Sequence, residues 1–169
     1  MEGIKKNANI AANIAKAIRN LFVVGIVGSI VGAVLAILMA GFINMYYQDP
    51  EKLATAAGSI NADMGFFNVI KMANLTESGL YAQYFAVQLI CCAVLCVIYF
   101  FLFKVLHKNL SSIRDNGYAF DKYSEKKTKN SYIAIVVLLV LFQGMGEGII
   151  VGLILCGLFL VTKAGYIED

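Results

Sequence analysis

Charge is scarce in this chain: Asp, Glu, Lys and Arg make up 15% of its 169 residues, while 60% are hydrophobic. Globular domains carry about 25% charged and about 45–50% apolar residues, so a water-soluble domain of this length cannot hide its apolar surface behind so few charges. The mean hydropathy of +0.74 points the same way, and lipid becomes the expected solvent. Histidine occurs once, at His107, and tryptophan is absent. There is no Ser-His-Asp spacing, no H-E-x-x-H, no phosphate-binding loop and no dinucleotide glycine motif. That leaves no nucleophile, base or phosphate cradle to nominate, so the expectation is a protein that is not an enzyme and needs no cofactor. A net charge of +3 is too small to imply a nucleic-acid partner.

What the chain has instead is long apolar runs. Leu21–Tyr46 gives 26 residues without a charge and Leu80–Phe103 gives 24. A helix rising about 1.5 Å per residue needs about 20 residues to cross ~30 Å of hydrocarbon, so each run is long enough to span. Inside a bilayer the backbone amides have no outside partner, and runs that do not alternate in polarity satisfy them only as helices. The four cysteines, Cys91, Cys92, Cys96 and Cys156, lie within apolar runs and read as free thiols rather than a disulfide framework or a metal site.

The third run, Ser131–Thr162, holds 32 residues and one charge, Glu147. It is long for one span and short for two. Three glycines, Gly144, Gly146 and Gly148, sit at its middle, each costing about 1 kcal/mol relative to Ala inside a helix. A break at Gly144–Gly148 is therefore expected, giving a short helical hairpin, a re-entrant form included, in preference to one tilted helix. Asp121 is a good N-cap, and Lys122–Asn130 contains no Gly or Pro, so the first arm can start on the polar side.

Eleven of the 14 basic residues flank the runs on one side: Lys5, Lys6, Lys16 and Arg19, then Lys104, Lys108, Arg114, Lys122, Lys126, Lys127 and Lys129. The positive-inside rule makes that side cytoplasmic, and a hairpin returns Lys163 and the C-terminus to it. The expected layout is an amphipathic cytosolic helix at 1–20, spans at 21–46 and 80–103, an outer loop at 48–79, a basic cytosolic loop at 104–130, the hairpin at 131–162 and a tail at 163–169. In sum, the expected fold is an all-α integral membrane protein with a four-helix transmembrane bundle.

Within the first helix, Ile10, Ile14, Ile18 and Leu21 define one apolar face at spacings of four, four and three. This amphipathic helix is expected to run on into the first span, and its apolar face suits attraction to anionic headgroups or docking of a partner. In the outer loop, Asp49-Pro50 looks like a helix start, and Met64–Met72 groups large apolar residues on a segment too short to span. The aromatic residues Tyr46, Tyr47, Tyr81, Tyr84, Tyr99, Phe100, Phe101, Phe103 and Tyr132 belong near membrane interfaces.

Two constellations remain. Gly25, Gly28, Ser29 and Gly32 line one face of the first span, and Gly148 and Gly152 repeat the device in the last arm; small faces let helix backbones approach, within one protomer or between copies of a homo-oligomer. Glu147 with Gln143 is the one polar pair in the runs that would suit an ion or proton path, with Gln83 and Gln88 as possible polar partners; the competing reading places Glu147 at a hairpin turn near water. The lipid bilayer is the expected partner, with a second copy or another membrane protein beside it.

Leu110-Ser111-Ser112-Ile113-Arg114-Asp115-Asn116-Gly117-Tyr118-Ala119-Phe120-Asp121 resembles the I-R-x-G-x-x-F signature of bacterial membrane proteins grouped as domain of unknown function twenty-nine seventy-five. The closing Gly157-Leu158-Phe159 and Gly165–Asp169 are similar to that family's C-terminal end. The resemblance implies a four-span inner-membrane protein and brings no reaction with it. Physically, Asn116-Gly117 supplies a turn before Asp121 caps the next helix.

The reading that follows is a multi-pass protein of a bacterial cytoplasmic membrane with an accessory, sensing or regulatory role. A small channel or transporter using Glu147 is the alternative.

Overall fold

The computed structural model describes residues 2–49, 79–118, 122–143 and 145–164. They form five helices and no strand: α1 (Glu2–Leu38), α2 (Ala40–Tyr47), α3 (Tyr81–Asn116), α4 (Lys122–Gln143) and α5 (Met145–Ala164). The expected features of the outer loop, Pro50 and Met64–Met72 among them, lie outside the described residues, as does the Asp121 cap.

α1 has 37 residues and α3 has 36, so each is about 54–55 Å long. Both are long and apolar enough to cross a membrane. Their most apolar stretches are only 11% and 22% buried, whereas a core helix of a water-soluble fold is mostly buried. α2 continues α1 with a local irregularity at Met39, because the helical ladder runs on from Met39 N–H to Leu35 C=O (2.9 Å) and from Ile43 N–H to Met39 C=O (3.0 Å).

The first 20 residues form the first half of α1 and run straight on into the apolar stretch. One feature differs from the sequence layout. α3 does not stop with its apolar run at Phe103; it extends to Asn116, where Gly117 takes φ +87° and donates its N–H to Ile113 C=O at 2.9 Å. That left-handed residue is the helix stop expected at Asn116-Gly117, and residues 104–116 contain no Gly or Pro to end the helix sooner. The isoleucine face of α1 stays open, and a different face is buried. Ile10 and Ile14 are 52% and 55% exposed, while Ala8, Ala12 and Ala15 are buried.

α1 and α3 form the most extensive contact, running antiparallel; α4 packs on α5, and α3 bridges to α4. One apolar cluster joins Ile98 and Leu102 of α3 to Tyr132, Ile135 and Leu139 of α4 and Leu155 of α5, and it reaches along α3 from Leu106 to Val94. A second cluster joins Ala33, Ala36 and Ile43 to Phe85, Ala86 and Leu89, and it contains no residue of α4 or α5. Among the described residues, the hairpin thus shares its apolar core with the middle of α3, from Val94 to Leu106.

Candidate functional site

The contact between α1 and α3 is built on small residues. Ala8, Ala12, Ala15, Arg19, Phe22, Ile26, Ser29, Ala33 and Ala36 recur in alternating steps of four and three, and all are buried or half-buried. On α3, Ala82, Ala86, Leu89, Ala93 and Cys96 follow the same steps. This spacing keeps one seam facing one partner along the whole helix, as in a coiled coil, and small side chains let the backbones close up. The isoleucine stripe is the more apolar face, yet it does not meet α3. Close approach of the two backbones selects the small face, and the alanine periodicity is its signal in the sequence.

The glycines divide on the same basis. A methyl added at Gly25 would stand 3.0 Å from Cys96 Sγ, and one at Gly32 would stand 3.2 Å from Leu89 Cδ1, so both face α3. Gly28 has nothing within 4 Å, and Ser29 is half-buried. Between α4 and α5, a methyl at Gly148 would overlap the Val140 side chain and lie 2.9 Å from its Cα and N, while one at Gly152 would lie 3.2 Å from Val136 Cγ1.

Two aromatic tiers mark the ends of the apolar part of the pair. At one, Phe22 stacks on Tyr99 (centroids 5.3 Å) and Phe103 (5.7 Å), and Lys104 Nζ lies 5.8 Å from the Phe101 ring. At the other, Tyr47 meets Phe85 (5.2 Å), Tyr46 (5.1 Å) and Tyr81 (6.0 Å). Phe85 and Phe103 stand eighteen residues apart on α3, about 27 Å at about 1.5 Å per residue. Beside the second tier, Asn44 Oδ1 accepts the Ala82 N–H at 2.8 Å. Leu80 makes no side-chain cap, so a residue 38 positions earlier satisfies a free amide of the first turn of α3.

Past the first tier, α1 and α3 stay paired. His107 Nδ1 lies 3.0 Å from Ala12 C=O; the carbonyl accepts, so Nδ1 carries the proton. Arg114 chelates its neighbour Asp115 through Nε and Nη2 (2.7 and 3.0 Å) and reaches Asn9 Oδ1 at 3.5 Å. The guanidinium hydrogen bonds, aided by Lys5, hold the Asp115 carboxyl below the usual carboxylate range. Asn109 Nδ2 donates to Tyr132 OH at 2.9 Å; both residues are buried, and they pin α4 to α3.

Of the expected polar pair, Gln143 closes α4 and Glu147 stands in the first turn of α5; their side chains lie outside the described residues. Gln88 Nε2 donates to Tyr84 OH within α3 at 2.8 Å, and Gln83 Oε1 is buried with no hydrogen-bond partner among the described residues. All four cysteines are free thiols, and among the described residues no three His, Cys, Asp or Glu side chains gather to hold a metal. An open apolar groove of about 290 Å³ runs along α4 and α5 beside Tyr132, Ile133, Val136 and Cys156, with Lys129 as its one charged neighbour.

Known protein families, curated proteins and solved structures were compared with this chain, and none matches. The site is therefore described by its own geometry: a long small-residue helix pair between aromatic tiers, extended at one end by a polar-latched segment.

Proposed function

We propose that this chain is an α-helical protein of a bacterial cytoplasmic membrane that acts as a non-enzymatic accessory or sensing component through helix packing. The observation that carries the reading is the pair of aromatic tiers about 27 Å apart, close to the ~30 Å of a hydrocarbon core, with exposed aliphatic side chains between them. α1 and α3 cross fully, with the basic end of the pair in the cytoplasm. Beyond the inner tier α3 runs from Phe103 to Asn116, so the pair projects about 20 Å toward water.

α4 and α5 enter from the cytoplasmic side as a hairpin. The uncharged part of α4, Ser131–Gln143, and the apolar part of α5, Gly148–Leu160, are each 13 residues, about 20 Å, which favours a re-entrant pair over two complete crossings. Kinship with the family that residues 110–121 resemble is part of this reading. The projecting pair is the surface on which a partner acts, and the role is structural or regulatory rather than chemical.

The test is a map of accessibility with single cysteines in a background free of the four native ones. Lys16→Cys and Asn116→Cys react with an impermeant maleimide only in inverted vesicles, Gln48→Cys reacts only from outside, and Ile30→Cys stays silent. Recovery of the protein in the soluble fraction, or free labelling of Ile30→Cys from water, overturns the reading.

A further inference from the structure

α1 carries a second stripe, on the face turned away from α3. Asn7, Ile10, Ile14, Ala17, Leu21 and Val24 follow alternating steps of three and four, and every one is exposed. Ile10, Ile14, Leu21 and Val24 leave 52%, 55%, 68% and 69% of their surface free. The stripe continues through Gly28, where nothing lies within 4 Å, as far as Leu38, which is 75% free.

We propose that this face of α1 is where a second copy of the chain docks, α1 against α1, about a two-fold axis normal to the membrane. The proposal rests on the membrane placement above. Lipid covers the stripe from Leu21 onward, but Ile14 and Ile10 precede the apolar run by seven and eleven residues, about 10 and 16 Å along the helix. The interfacial layer of one leaflet is only about 5–8 Å deep, so these two isoleucines stand beyond it. The segment cannot lie down on the surface, because it is continuous with the span and latched to α3 at Ala12 and Asn9.

Charge selects the occupant. On this segment Lys5, Lys16 and Arg19 lie off the stripe and off its flanks, while the flanking positions Ala11, Asn13, Ile18 and Asn20 are neutral, leaving Lys6 alone at the far end. A neutral face meets its own copy without repulsion and offers nothing to an acidic headgroup or an acidic partner. Copies in one membrane share one orientation, so the two helices run parallel and each residue meets its counterpart. Asn7 then faces Asn7, the kind of polar contact at a seam position that fixes a parallel pair in register. Ile10, Ile14, Leu21 and Val24 each leave more than half of their surface free, so the stripe has apolar surface to bury along its length.

The test is oxidative cross-linking of the full chain in native membranes, with the four native cysteines replaced by alanine. Ile10→Cys and Ile14→Cys are expected to give a dimer band at least fivefold stronger than Ala15→Cys, which faces α3, and Lys16→Cys, which lies off the stripe. Ile14→Glu, placing like charges face to face, is expected to lower the dimer fraction of the protein in lipid nanodiscs at least tenfold while leaving its melting temperature as a monomer unchanged. Equal yields at all four positions, a cross-linked product whose mass is not twice the chain, or a monomer in nanodiscs before any substitution overturns the proposal. Loss of the protein from washed membranes instead overturns the membrane placement beneath it.

Discussion

The two helix pairs reach close contact by opposite means. α1 and α3 are distant in sequence and meet along a seam of alanines, with glycines opposite yielding side-chain tips such as Cys96 Sγ and Leu89 Cδ1. α4 and α5 are one residue apart and meet where Gly148 sits against the backbone of Val140. The first pair spreads its closeness over many positions, each able to adjust a little. The second concentrates it at one position where nothing can move. What matters for tolerance is therefore not that a glycine is present but what a methyl group there would touch.

The largest expected effect comes from the second pair. Gly148→Ala gains about 1 kcal/mol of helix propensity, but the methyl must displace backbone, and overpacking of that kind costs about 1–3 kcal/mol or more. A net fall in melting temperature in nanodiscs is expected, together with separation of α4 from α5 read by paired spin labels; an unchanged midpoint would erase the contrast between the pairs. Next is Tyr132→Phe, which leaves the buried Asn109 amide without its acceptor and should cost about 1–3 kcal/mol in the same melt. Removing both partners with Asn109→Leu and Tyr132→Phe is expected to recover part of that loss.

Asn44→Ala follows, at about 1 kcal/mol, because it strips a capping acceptor from the first turn of α3; faster amide exchange at Ala82 is the direct readout. Gly32→Ala is expected to be close to neutral, since the Leu89 tip can turn aside and the propensity gain offsets the shift. The smallest effect is that of pH on Asp115. Its carboxyl is held low when folded, so the contact with Arg114 is intact above the ordinary carboxylate range and is lost only as pH falls through the lowered value. Both groups are exposed, so Asp115→Asn should leave the melting temperature at neutral pH within error and slightly reduce its fall on the acid side.

Much of the helical content was legible in the chain itself. Unbroken apolar runs admit little else, and Asn116-Gly117 marks the end of α3 in plain residues. The glycine cluster at 144–148 likewise falls where α4 gives way to α5. The face that α1 buries against α3 was not marked by apolar periodicity, because Ala8 and Ala12 are less apolar than the exposed Ile10 and Ile14 and are selected by the close approach they allow. The overrun of α3 past Phe103 was hidden because its lysines and His107 look like loop composition until α1 is seen alongside. Asn44 could not be found locally at all, since the amide it serves is 38 positions away. Glu147 was picked out by its charge and Gln143 by its polarity beside it, and neither criterion says anything about geometry.

The Asn44 to Ala82 bond has one more consequence. It acts as a buckle across the ends of the two rods, so their register there does not depend on the length or composition of the chain that joins them. Each doubling of such a connection adds only about 0.6 kcal/mol of closure entropy. An epitope or a small reporter domain grafted between 50 and 78 should leave the two rods in place, which makes the join between them a natural socket for display.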